Sequence, residues 1–110
     1  MIAFAATTPA PPPPARVQVV AQEYSLGLSR TTVKAGHVIV ELVNHGQDAH
    51  DLDLQRIGSH HIYRFPKVEP GQYADREWRL RPGKYRIWCN IADHKMRGMH
   101  ALLRVVRRST

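Results

Sequence analysis

The sequence contains few sulfur-bearing residues and no long apolar stretch. Cys89 is the single cysteine among 110 residues, so no internal disulfide can form and cysteine usage says nothing about the redox compartment. No apolar run approaches the length that spans a bilayer. Helical periodicity is also missing, apart from a short turn expected near 91–98. These absences favour a small all-β domain with a single core.

Acidic residues are scarce in the last third of the chain. From Arg76 to the end there are ten Lys or Arg residues and two acids, Glu77 and Asp93, and the whole chain has a net charge of +7. A solvated basic surface is one interpretation. Steering toward an acidic protein partner or an anionic membrane surface is the other. No binding motif or stacking pattern supports a nucleic-acid partner, so none is predicted.

Residues 1–15 differ in composition from the rest of the chain. Five of the eight prolines fall there, and such a run favours an extended form that cannot join a sheet. We interpret it as a disordered, proline-rich tether or a processed tail. The apolar start Met1–Ala6 is too short for the core of a signal peptide and follows no basic residue. We therefore expect that a leader was removed or never existed.

Apolar alternation with a period of two predicts strands from residue 16 onward. The prominent runs are 16–28, 37–43, 50–54, 74–80, 84–90 and 100–106, separated by turn signals such as Lys34-Ala35-Gly36 and Arg81-Pro82-Gly83. We count seven or eight short strands. This pattern is typical of a Greek-key, two-sheet β-sandwich.

The segment from Tyr85 to Met99 contains three residue types that bind soft metals. His94 follows Cys89 after four intervening residues, and Met99 follows His94 after four more. A thiolate, two imidazoles and a weak axial thioether make a type 1 copper site. The second imidazole is expected from His50, because Leu52 and Leu54 share its side of a strand and should face the core.

The pattern Tyr-x-x-x-Cys-x-x-x-x-His-x-x-x-Gly-Met resembles the cupredoxins, the small type 1 copper proteins. Val43-Asn44-x-Gly-x-x-x-His50 resembles their first ligand segment, and the resemblance covers roughly residues 17–106. It implies a cupredoxin domain over 16–110 and a single copper ion held by a ligand set of His50, Cys89, His94 and Met99. It also implies that the backbone N–H of Asp51 donates to the Cys89 sulfur and that Asn44 joins the ligand loops.

The function that this resemblance implies is one-electron transfer without substrate turnover, so no enzyme activity is expected. Copper binding and delivery is the alternative. A thiol enzyme using Cys89 and His94 is disfavoured by an inward cysteine, and a structural zinc site does not ordinarily use methionine. Met96 lies only two residues after His94, so Met99 is the preferred axial ligand and Met96 is expected at an apolar rim.

Partners and location follow from the same resemblance. The ring edge of His94 is expected at the surface, flanked by Lys95 and Arg97, where acidic redox partners would dock. Trp88 is expected to point outward beside Cys89, as a packing residue or a second electron relay. We expect a monomer in the periplasm or another extracytoplasmic compartment, with 1–15 as a membrane tether in one interpretation.

Overall fold

The computed structural model describes residues 9–109, and the predicted tether therefore lies partly outside the described residues. Residues 9–14 form no strand, and the sheets begin at Ala15. The described part of the chain holds no helix that is long and apolar enough to span a membrane. The nine strands are β1 (Ala15–Gln22), β2 (Ser25–Leu28), β3 (Thr32–Lys34), β4 (Gly36–Asn44), β5 (Asp53–Arg56), β6 (Ile62–Arg64), β7 (Tyr73–Leu80), β8 (Gly83–Trp88) and β9 (His100–Val106).

The strands form two mixed sheets, with the order β2-β1-β4-β7 in one and β3-β9-β8-β5-β6 in the other. The predicted all-β sandwich is confirmed. The structure has nine strands in residues 9–109 rather than seven or eight. The predicted run 16–28 is divided by a turn at 23–24 into β1 and β2, and β3 and β6, of three residues each, are separate elements. Such short strands carry too little alternation to be counted reliably from sequence.

The alternation that predicted the strands also forms the core. In β1 the side chains of Val17, Val19 and Ala21 are buried, whereas Gln18 between them is exposed and Val20 is half-buried. The inward residues of β4 lie beside them in the same sheet, and those of β8 and β9 face them from the other sheet. They are Val38, Val40 and Leu42 of β4, Tyr85 and Ile87 of β8, and Leu103 and Val105 of β9. Full burial of one such aliphatic side chain stabilises the fold by about 1.5–3 kcal/mol.

One pairing decides which loops can meet at the metal end. β1 and β4 are parallel neighbours, and Ala21 lies opposite Asn44 near the end of both strands. The chain therefore leaves both strands at the same edge of the sheet. As a result, the two-residue turn after β1 lies beside the loop after β4, although 21 residues separate the strand ends Gln22 and Asn44 by number.

Candidate metal centre

Cys89 is the first residue after β8, and its side chain is completely buried. It continues the inward side of the strand after Tyr85 and Ile87, as predicted. Burial raises the pKa of the Cys89 thiol, whereas hydrogen bonds from the backbone N–H groups of Ile91 and Asp51 act in the opposite direction. The direction of this effect is consistent with the predicted donation from the Asp51 backbone, which stays a prediction.

His50 and His94 both direct Nδ1 at the sulfur of Cys89. The distance from Sγ is 3.8 Å to Nδ1 of His50 and 3.6 Å to Nδ1 of His94. The three candidate ligand atoms lie within 4.8 Å of one another, and all three side chains are buried. Among residues 9–109, this is the cluster of His, Cys, Asp and Glu side chains with ligand spacing.

These separations fit a metal ion between the three donors. Bonds of about 2.3 Å to sulfur and about 2.0 Å to nitrogen, as in zinc sites, separate the two donors by about 3.7 Å at a trigonal angle. The observed distances of 3.6 and 3.8 Å are close to that value. One thiolate with two imidazoles is also the trigonal donor set that copper prefers.

Consecutive turns place His94 between Cys89 and Met99. The backbone N–H of His94 donates to Ile91 O at 3.0 Å, and Met99 N donates to His94 O at 3.0 Å. Cys89 N donates to Met99 O at 3.1 Å, which closes the segment. Gly98 has a φ of +125°, and a Cβ there would lie 2.8 Å from the carbonyl oxygen of Tyr24. Glycine is thus required at this position.

The two candidate axial methionines differ completely in burial. Met99 is fully buried, whereas Met96 is 90% exposed. The predicted preference for Met99 is consistent with this difference, since a ligand must point into the protein. Met96 extends into solvent rather than packing along an apolar rim. The role of the Met99 thioether as a ligand stays a prediction.

Asn44 joins the first ligand segment to the rest of the fold. Its Nδ2 donates to Asp48 O at 2.8 Å and to Val68 O at 2.9 Å, and its Oδ1 accepts from Gly46 N at 2.8 Å. Val68 in turn forms a two-bond bridge with His50, at 2.7 and 3.0 Å. The buried amide therefore fixes the loop that carries His50, as the resemblance implied.

Glu23 is a residue of this site that the sequence did not reveal. Its Oε1 accepts from Asp48 N at 2.6 Å and from Gln47 N at 2.9 Å, and it lies 3.1 Å from Nε2 of His50. The backbone donors of Asp48 and Gln47, and then His50, lower the pKa of Glu23 to about 2. No local motif indicates this role, because Glu23 is 27 residues from His50.

His94 is less exposed than its predicted position at the surface implies. It retains 5% exposure, Asp48 Oδ2 lies 3.5 Å from its Nε2, and the Tyr24 ring lies 5.5 Å away between centroids. The turn after β1 covers the ring. The sequence could not indicate this, because Tyr24 and His94 are brought together only by the sandwich.

The charged residues around His94 are mixed in sign rather than uniformly basic. Arg97 pairs with Asp93 at 2.6 Å and lies over the Tyr24 ring at 5.0 Å. Lys95 lies over the ring of Trp88 at 4.9 Å, and Trp88 itself is half-buried on the outer face. Each predicted cation is therefore engaged with a neighbour.

A β-sandwich of two mixed sheets with a buried Cys-His-His cluster at one end defines the class: the chain has the cupredoxin fold. No family model matches it, and no curated protein matches its sequence. The solved structures, by contrast, contain clear relatives in fold.

An auracyanin from Roseiflexus castenholzii superposes with a TM-score of 0.71 and 16% identity, over 84% of this chain and 97% of that one. Auracyanin A from Chloroflexus aurantiacus, described as a "blue" copper protein, gives 0.68 and 13%, over 86% and 100%. The copper nitrite reductase of Nitrosomonas europaea gives 0.59 and 16%, over 88% of this chain but 43% of that one. The fold is therefore shared with entire auracyanin chains and with part of a copper nitrite reductase.

Proposed function

We propose that the chain is a mononuclear type 1 copper protein that carries single electrons between redox partners. The proposed ligands are His50, Cys89, His94 and Met99. One observation carries the proposal: two imidazole nitrogens lie 3.6 and 3.8 Å from the single thiol, in a buried cluster at one end of a cupredoxin fold. The likeness to auracyanins supports it.

The protein residues act by holding a fixed donor set. A bound copper ion would supply the one-electron change between the cuprous and cupric states. The backbone N–H groups of Asp51 and Ile91 stabilise the Cys89 thiolate against the effect of burial. Asn44 and the turns of 91–99 keep the two imidazoles in place. Little rearrangement then accompanies the change in charge, which favours fast transfer.

We propose no enzyme activity, because the donors are buried and leave a substrate no direct access. A copper nitrite reductase shares the fold, but this likeness does not assign its reaction to this chain.

Copper delivery is the second candidate function. A delivery site should release copper readily, whereas a closed carrier site should hold it and give a reversible potential.

Electrons should enter and leave at the His94 end of the molecule. We propose that an acidic partner docks there against Lys95, with the net charge of +7 steering the encounter. The transfer rate should fall as ionic strength rises, because salt screens such steering. A rate that salt does not change would reject charged docking.

We also propose a monomer that works in the periplasm or another extracytoplasmic compartment, as the cupredoxin likeness suggests. Support for the location comes from that likeness alone. Cell fractionation, together with gel filtration of the purified protein, tests both statements. Recovery with the cytoplasmic fraction would contradict the proposed location, and elution at twice the monomer mass would contradict a monomer.

The decisive experiment is addition of cupric ion to the purified protein without metal, followed by a visible spectrum. An intense thiolate-to-copper band is expected, and Cys89→Ser should abolish it. Met99→Leu should keep the metal and shift the reduction potential. Met96→Leu, at a side chain exposed to solvent, should change neither the metal binding nor the reduction potential. A colourless wild-type protein would overturn the proposed function.

A further inference from the structure

We propose that Glu23 is a positioning residue of the metal centre, which orients His50 and fixes the nitrogen that it offers to the metal. This role rests on the proposed function. Glu23 belongs to the turn between β1 and β2, and its carboxylate lies 3.1 Å from Nε2 of His50. The His50 side chain is completely buried, while that of Glu23 is 22% exposed.

Several contacts hold the Glu23 carboxylate in place. Gln47 N donates to Oε1 at 2.9 Å and to Oε2 at 3.0 Å, and Asp48 N donates to Oε1 at 2.6 Å. Gly46 leaves the space that the carboxylate fills, since a Cβ there would lie 2.5 Å from Oε2. A carboxylate with this many partners is fixed in position rather than free on the surface.

The fixed carboxylate decides the tautomer of His50. An ionised carboxylate accepts hydrogen bonds and cannot donate them, so in the neutral His50 ring, the form that binds a metal, Nε2 must carry the proton. Nδ1 then presents its lone pair, and Nδ1 is the atom that lies 3.8 Å from the Cys89 sulfur. A carboxylate behind a histidine ligand fixes the ring and raises the basicity of the ligand nitrogen.

The topology explains why a residue so distant in sequence can do this. The parallel pairing of β1 and β4 brings the ends of both strands to one edge of the sheet. The turn that follows β1 therefore lies against the loop that carries His50. Glu23 contacts that loop at three residues, and the loop bears a metal ligand, so a purely surface role does not account for these contacts.

The test uses Glu23→Gln, Glu23→Ala and the control Glu69→Gln. Glu69 is an exposed acid whose carboxylate pairs with Lys67 at 3.6 Å, so the control removes the same charge from the surface. Replacing Glu23 should weaken cupric binding by about 10- to 100-fold and raise the reduction potential, because ligand basicity falls. The control should change affinity by less than about threefold, since the charge it removes is exposed and screened.

A second measurement needs no metal. Nitrogen NMR of the metal-free protein should show His50 protonated at Nε2 in the wild type and in the control, and a mixture of tautomers in Glu23→Ala. Thermal melts identify any variant that fails to fold. If the wild type gives the thiolate band, but Glu23 variants match the control in affinity, potential and tautomer, the positioning role is wrong. If the wild type gives no band, the proposed function is wrong, and the tautomer result still decides whether Glu23 orients His50.

Discussion

The two segments that carry the candidate ligands are held in different ways. Residues 89–99 are fixed by their own backbone, through hydrogen bonds between Cys89, His94 and Met99. The segment that carries His50 has a backbone bridge to Val68 and depends in addition on side chains, with Asn44 and Glu23 accepting or donating six hydrogen bonds. A local motif can thus build half of a metal centre, while the other half requires contacts between distant parts of the chain.

The largest effect is expected from Gly98→Ala in the backbone-fixed segment. Alanine at a φ of +125° is strained, and its Cβ would lie 2.8 Å from a backbone oxygen of Tyr24 that cannot easily move. We expect a loss of about 2–3 kcal/mol in the free energy of unfolding of the metal-free protein. Chemical denaturation measures it.

The matched control is Gly58→Ala. Gly58 also has a positive φ, +94°, but its Cβ would meet nothing within 4 Å. The control should therefore lose less stability, about 1 kcal/mol from strain alone. Equal losses at both glycines would show that the contact with Tyr24 does not matter.

A somewhat smaller loss is expected from Asn44→Ala in the other segment. This change removes three hydrogen bonds and leaves the buried carbonyl of Val68 with one donor fewer. The expected cost is about 1–3 kcal/mol, measured by chemical denaturation. Gln18→Ala is the control, because its side-chain bond to Glu41 at 2.7 Å is exposed. A loss no greater than that of the control would contradict the comparison.

Gly46→Ala makes the same substitution as Gly98→Ala in the segment that depends on side chains. The atoms that its Cβ would meet belong to the end of the Glu23 side chain, which can rotate away. Because that rotation breaks the hydrogen bonds from Gln47 N and Asp48 N, we expect a stability loss of about 1–2 kcal/mol, together with a clear change in the NMR signals of the His50 ring. A loss of stability as large as that of Gly98→Ala, with unchanged NMR signals of the His50 ring, would contradict this expectation.

The smallest effect is expected from Asp53→Asn, just beyond the His50 segment. Burial is the main reason that the pKa of Asp53 lies above its ordinary value of 3.8, with the nearby charge of Asp51 adding to it. Ionised Asp53 thus opposes folding above its pKa in the folded state, and this penalty disappears below pH 3.8. The variant should gain less than about 1 kcal/mol at pH 7, and the gain should vanish on acidification. Denaturation across this pH range measures it, and a gain that grows in acid would have the wrong sign.

The features predicted from local pattern share closeness in sequence, whereas His50 was joined to Cys89, 39 residues away, through the resemblance to the cupredoxins. Strand alternation and the spacing of Cys89, His94 and Met99 depend on neighbours within about ten residues, and the fold and the turn at Gly98 agreed with them. The burial of His94 differs from its predicted exposure at the surface. The Tyr24 ring that covers it comes from the turn between two strands of the other sheet.

The sequence by itself determined the β-sandwich, its inward residues and the order of the candidate ligands, because strand periodicity and turn chemistry act locally. The tertiary structure alone decided that Glu23 lies against His50 and that Asp48 and Tyr24 cover His94. The physical reason is the parallel pairing of β1 with β4, which joins two loops that no sequence spacing connects.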